Sequence, residues 1–216
     1  MITTIIFDMN GVITDDEDCH ELATKQAFEK VGLEVSPEIY RKFCLGRTDA
    51  AAFKDLIKTY QIHYAETKVL IADKTRFYMA LVKDNLRIYA GVVDLIETLS
   101  KTYRLALTTS STFEEAHAII DLLKLHDYFE VVVTADDVFK GKPDPEPYLL
   151  TAKKLGIQPQ ECLVIEDSEN GVKSAKSAGM LCIAIANTEK RNKLLLADRI
   201  IVEYTEIIEA FIDNLR

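Results

Sequence analysis

The apolar positions of this chain follow two rhythms. Residues 2–7 form a short, largely apolar, β-branched run that stops at Asp8-Met9-Asn10-Gly11, as a buried strand followed by a tight loop does. From residue 16 to about 82 the spacing becomes helical. It predicts helices over 23–31, closed by Gly32, and over 37–44, 49–60 and 65–82, with few strand-like runs between them. Strand and helix then alternate. Helices are expected over 92–100, 113–123, 145–155 and 171–178, and a last one over 206–215. Strands are expected over 103–107, 129–133, 162–165, 181–186 and 199–202. Such alternation implies right-handed crossovers and a mostly parallel sheet, hence an α/β fold with a helical block inserted after its first strand. A length of 216 residues suits one such domain with a small insertion.

Composition narrows the partners. The hydrophobic fraction of 48% supports a sizeable core, and no low-complexity run interrupts it. A net charge of −9 disfavours nucleic acid and anionic membranes, and the basic stretch Lys190-Arg191-Asn192-Lys193 reads as a solvated turn. No run of 18 apolar residues and no basic-then-apolar leader is found, so neither a membrane span nor a signal peptide is expected. Cys19, Cys44, Cys162 and Cys182 are scattered without metal-like pairing, which fits a reducing cytoplasm.

The candidate chemistry lies where the predicted strands end. Ligands of open parallel sheets bind beyond the carboxyl ends of the strands. Those ends carry Asp8, then Thr109, Ser110 and Ser111, then Glu166 and Asp167, with Lys142 in the loop Gly141-Lys142-Pro143-Asp144-Pro145. Asp8, Glu166 and Asp167 would bring oxygen ligands together for a hard cation such as Mg²⁺. Lys142 would add a positive charge, and Thr109 with the amides around Ser110 and Ser111 would add donors, a set suited to a phosphoryl group. Each residue alone has a bland reading: a turn aspartate, a solvated lysine, or a helix cap at Ser111, Thr112, Asp167 or Ser168. Four such clusters in one repeating architecture do not.

These stretches resemble the four motifs of the haloacid dehalogenase superfamily. Residues 6–15, Ile-Phe-Asp-Met-Asn-Gly-Val-Ile-Thr-Asp, are similar to the first. Thr109-Ser110, Lys142-Pro143, and Glu166-Asp167-Ser168 with Gly171 are similar to the other three. His20 after Asp15-Asp16-Glu17, and Leu45-Gly46-Arg47-Thr48, resemble the β-phosphoglucomutase-like branch. The resemblance implies a Rossmann-like three-layer core over 1–15 and 87–216 and a four-helix cap over 16–86. It implies hydrolysis of a small phosphorylated metabolite, by a protein often monomeric in this family. Asp8 would become an aspartyl phosphate, Thr109 would hold a phosphoryl oxygen, and Lys142 would neutralise both. Asp8, the Asn10 carbonyl, Glu166 and Asp167 would hold Mg²⁺. Gly46 and Arg47 would face the site from the cap, with Arg47 either pairing a second substrate phosphate or forming a cap salt bridge, and His20 would pin the hinge. Phe113 and Phe139 have two readings, pocket lining or core.

One position departs from the pattern. The family's phosphatases and mutases carry an aspartate two residues after the nucleophile, as general acid–base, and here that position is Asn10. An amide does not titrate in the useful range, and losing such a group costs on the order of 10² to 10⁴ in rate. Three outcomes are open: a phosphatase whose leaving group needs little protonation or is assisted by another group, Glu17 and His20 being nearest in sequence; a phospho-ligand binder; or, weakened most, a hexose-phosphate mutase.

Overall fold

The computed structural model describes residues 1–207 and 212. Strand β1 (Thr4–Phe7) leads into four helices, α1 (Glu17–Glu29), α2 (Pro37–Phe43), α3 (Asp49–Thr59) and α4 (Thr67–Asn85). The chain then runs through α5 (Val92–Leu99), β2 (Arg104–Thr108), α6 (Phe113–Leu123) and β3 (Val131–Val133). It continues through α7 (Glu146–Leu155), β4 (Cys162–Glu166), α8 (Glu169–Ser177), β5 (Leu181–Ile185) and β6 (Arg199–Ile201). The strands form one parallel sheet in the order β3-β2-β1-β4-β5-β6. The direction of winding reverses between β1 and β4, which is where such sheets bind ligands.

Alternation along the strands builds the three layers. Ile5 and Phe7 of β1 face one side, with Leu107, Ile165 and Ile183, and are covered by Ile96 of α5 and Ile119 of α6. Ile6 faces the other side, with Val164 and Cys182, under Tyr148 of α7 and Val172 of α8. The inserted helices bury a separate apolar cluster that includes Phe28, Tyr40, Phe53, Leu56 and Leu70. Among the described residues no helix is long and apolar enough to cross a membrane.

Two elements depart from expectation. Helix α1 starts at Glu17, six residues before the expected start at 23, through a stretch so acidic that it reads as loop. Glu17 and Asp18 sit in its first turn, where negative charge suits the positive end of a helix, and His20 and Ala23 are buried. Strand β3 spans only Val131–Val133, because the ladder with β2 begins at Val131 opposite Ala106. The helix expected over 206–215 falls largely outside the described residues.

Candidate active site

Register brings the site together. Phe7 pairs with Leu107 of β2 and Ile165 of β4, so Asp8 emerges level with Thr108 and Glu166, the last residues of those strands. The Asp8 amide still donates to the Ile165 carbonyl, at 3.0 Å, and the Thr109 amide to the Val133 carbonyl, at 2.9 Å. The helix caps are supplied by neighbouring residues. Thr112 caps α6 through a capping box with Glu115, and Ser168 caps α8 by accepting from the Gly171 amide. Asp167 and the Thr109–Ser111 stretch are therefore not consumed as caps.

Lys142 is the electrostatic centre. Its ammonium, 5% exposed as a residue, donates to Asp8 Oδ1 and Glu166 Oε1, each at 2.6 Å, and to the Thr108 carbonyl at 3.3 Å. Burial alone would push this lysine down, but the two carboxylates hold it protonated, well above its ordinary range. Glu166 is fully buried; burial raises it, and the Lys142 charge outweighs burial and keeps its carboxyl below the ordinary value. Its other oxygen accepts from the amides of Asp167 and Ser168 and from the Ser168 hydroxyl. Burial pushes Asp8 up to about 7, against the pull of Lys142.

Asp167 completes an acidic cluster. One carboxylate oxygen from each of Asp8, Glu166 and Asp167 lies within 4.8 Å of the others. Asp167 is buried and among the described residues has no cationic partner. Burial, then the charges of Glu166 and Asp8, push it well above the ordinary carboxylate range. A buried oxygen-donor cluster short of positive charge fits a hard divalent cation.

The Asn10 side chain crosses the floor of the cleft. Its amide nitrogen lies 3.2 and 3.1 Å from the two oxygens of Asp16 and 2.9 Å from His20 Nε2. Its oxygen accepts from Ser111 Oγ at 2.7 Å and Thr109 Oγ1 at 3.4 Å. Asp16 also accepts from Tyr78 and Thr14.

The inserted helices close over this floor. The cleft is lined by Asp8, Asn10, Ser110, Ser111, Lys142 and Asp167 from below and by Glu17, His20, Gly46, Arg47, Asp49 and Lys74 from the inserted segment. Gly46, at φ +65°, lets the loop after α2 lie on the β4 loop; a Cβ there would meet Ser168 Oγ at 3.2 Å. Lys74 of α4 is bound to Asp49 at 2.9 Å and, across to α6, to Glu115 at 3.2 Å.

Residues 5–185 match the family described as haloacid dehalogenase-like hydrolases. The chain belongs to that family. Within it, the likeness is to the β-phosphoglucomutase-like branch. The chain is 35% identical to a "phosphorylated carbohydrates phosphatase" of Thermotoga maritima, over 82% of this chain and 81% of that protein. It is 27% identical to a β-phosphoglucomutase of Bacillus subtilis, over 94% of this chain and 90% of that one. The crystal structure of CbbY from Rhodobacter sphaeroides in complex with phosphate superposes with a TM-score of 0.85 at 25% identity, covering 95% of this chain and 96% of that one.

Set beside the family motifs, most expected residues meet in one cleft, and three differ in detail. Thr109 is 3% exposed and bonds Asn10 and the Ser111 amide, so it stands behind the floor while Ser110 and Ser111 line it. Arg47 lines the cleft, but its guanidinium is engaged by the Phe43 carbonyl at 2.9 Å and Asp55 at 2.7 Å. His20 lines the cleft and stacks on Tyr78 at 4.0 Å; burial, then the Lys74 charge, hold it well below 6.5. Phe113 and Phe139 are neither pocket nor core, being 57% and 102% exposed. Motif reasoning missed Asp16, Tyr40, Asp49 and Lys74. These stand on or beside the inserted helices, where the sequence offered no signal that sets them apart from solvated or core residues.

Proposed function

We propose that this protein is a Mg²⁺-dependent phosphatase that hydrolyses small phosphorylated metabolites, sugar phosphates foremost, through an aspartyl phosphate at Asp8. The observation that supports this best is the Lys142 ammonium held 2.6 Å from Asp8 at the mouth of an acidic cluster. Asp8, the Asn10 carbonyl, Glu166 and Asp167 would hold Mg²⁺, which supplies charge to orient and neutralise the phosphoryl group. The catalytic core would be residues 1–15 and 87–216, with 16–86 as a cap. Four free thiols suit a reducing cytoplasm, and the monomer is proposed from the family resemblance alone.

The residues divide the work. Asp8 Oδ1 is engaged by Lys142, which leaves the second oxygen to attack phosphorus. Lys142 offsets the negative charge of nucleophile and phosphate together, and Glu166 fixes its position. Ser110 offers its donors to the phosphoryl oxygens, since the Ser111 hydroxyl and amide are taken by Asn10 and Thr109.

The test is phosphate release from a panel of sugar phosphates, in wild type and in Asp8→Asn, with and without Mg²⁺. Turnover that requires both Mg²⁺ and Asp8 is expected; equal rates in the two proteins would refute the reading. Asn10 supports a second reading, a phospho-ligand binder without turnover, which any Asp8-dependent hydrolysis removes. A mutase needs a seat for a second phosphate. The cations that line the cap side are both engaged by carboxylates, Arg47 by Asp55 and Lys74 by Asp49 and Glu115, so that reading is weaker.

A further inference from the structure

An alkyl phosphate leaves as an alkoxide, and the amide of Asn10 has no proton for it. A substitute must line the cleft of Asp8, be free of ion pairs, and change protonation near neutrality. Most lining groups fail. Asp8, Lys142 and Asp167 belong to the nucleophile and the acidic cluster. Asp49 is paired with Lys74 at 2.9 Å. Burial, then Lys74, keep His20 neutral, and burial pushes the Tyr40 hydroxyl and the Cys44 thiol up and out of range.

Glu17 meets every condition. It stands in the first turn of α1, one turn before His20 and on the same helix face, and His20 touches Asn10. Its carboxyl lines the cleft half-buried, and among the described residues it has no ion-pair partner. Tyr40 Oη donates to Glu17 Oε1 at 2.5 Å, which fixes the group and leaves Oε2 to carry a proton. Burial pushes this carboxyl up to about 7, Tyr40 and Lys74 pulling it down, Asp16 and Glu21 pushing it up; Asp49 and Asp167 are the other carboxylates on the surrounding walls.

We propose that Glu17 is the general acid–base of this site, taking the part that Asn10 cannot play; this rests on phosphoryl transfer to Asp8. As Asp8 bonds to phosphorus, the bond from phosphorus to the ester oxygen breaks, and the Glu17 proton passes to that oxygen to give the alcohol. The Glu17 carboxylate then takes a proton from water as the water oxygen bonds to phosphorus. The bond from Asp8 to phosphorus breaks, releasing hydrogen phosphate and restoring the Asp8 carboxylate and the Glu17 acid.

The experiment compares Glu17→Gln with wild type on glycerol phosphate and on p-nitrophenyl phosphate, whose leaving group needs no proton. The ratio kcat/KM reports only steps through phosphoenzyme formation. It should fall on the order of 10² to 10⁴ for the alkyl ester and by less than about tenfold for the aryl ester. The variant should also release a burst of about one equivalent of p-nitrophenolate, since its phosphoenzyme lacks a base. In Tyr40→Phe, whose fold circular dichroism checks and which lacks the lowering hydrogen bond, the alkaline limb of the alkyl-ester pH profile should move upward. Equal losses on the two esters, or an alkaline limb unmoved in Tyr40→Phe, would overturn the proposal. Failure of the underlying phosphatase reading would look different: no Asp8-dependent turnover in the wild type.

Discussion

The Asn10 amide and the Asp16 carboxylate are mutually fitted, the nitrogen of one lying 3.2 and 3.1 Å from the two oxygens of the other. Two ionised carboxylates could not share that contact, and Asp16 is 1% exposed, with no water to screen it. The residue that departs from the family motif is thus matched by an acid six positions later.

That match predicts a reciprocal pair of variants. Asn10→Asp alone should lower stability by roughly 1–3 kcal/mol, because a buried hydrogen bond becomes a repulsion. Adding Asp16→Asn restores an amide facing a carboxylate, now with the carboxylate on the cleft side. The double variant should recover the melting temperature and gain up to about 10²-fold in kcat/KM on alkyl phosphates. Thermal denaturation and steady-state kinetics on the three proteins check this; a double variant no more stable than Asn10→Asp would show the two sites uncoupled.

Lys74 should matter to stability more than a helix lysine ordinarily does. It is 2% exposed and neutralises Asp49 and the fully buried Glu115, joining the inserted helices to α6. Lys74→Met strands two carboxylates and should cost about 3–5 kcal/mol. Adding Glu115→Gln should recover part of that loss in chemical denaturation. A loss below 1 kcal/mol for the single change would mean the cluster is dispensable.

Gly171 guards the position of Glu166. A Cβ there would lie 1.8 Å from Glu166 Oε1, the oxygen that binds Lys142 and Tyr148. Gly171→Ala must push the carboxylate aside. Since a misplacement near 1 Å costs on the order of 10²-fold in rate, activity should fall by about that much while the fold survives. Circular dichroism alongside kcat measurement separates the two.

Glu17 also predicts how stability varies with pH. Its carboxyl rises from an ordinary 4.5 to about 7 on folding, so the folded state binds the proton more tightly. The associated stability is complete below pH 4.5 and is lost as pH rises toward 7. Glu17→Gln has no proton to lose, so its melting temperature should overtake that of wild type by several degrees between pH 5 and pH 8. Parallel melting curves across that range would contradict the assignment.

The sheet and its loops were legible because buried parallel strands leave continuous apolar runs, and their ends stand out as polar breaks. Asp8, the Ser110-Ser111 pair and Asp167 were found this way. Lys142 was legible from the prolines around it. The side formed by the inserted helices was not. Tyr40 and Lys74 lie on amphipathic helices whose pattern records burial but not partners; Lys74 reads as solvated until Glu115, distant in sequence, is seen beneath it. Phe139, a candidate wall residue by type alone, stands fully in solvent.

The order of the strands has a consequence for the growing chain. Asp8 precedes its lysine by 134 residues in the chain, and Glu166 comes later still. The early fragment, with β1 and the four helices, holds the nucleophile without its cation or its acidic neighbours. A nascent chain therefore cannot assemble the acidic cluster with its lysine until β4 docks beside β1.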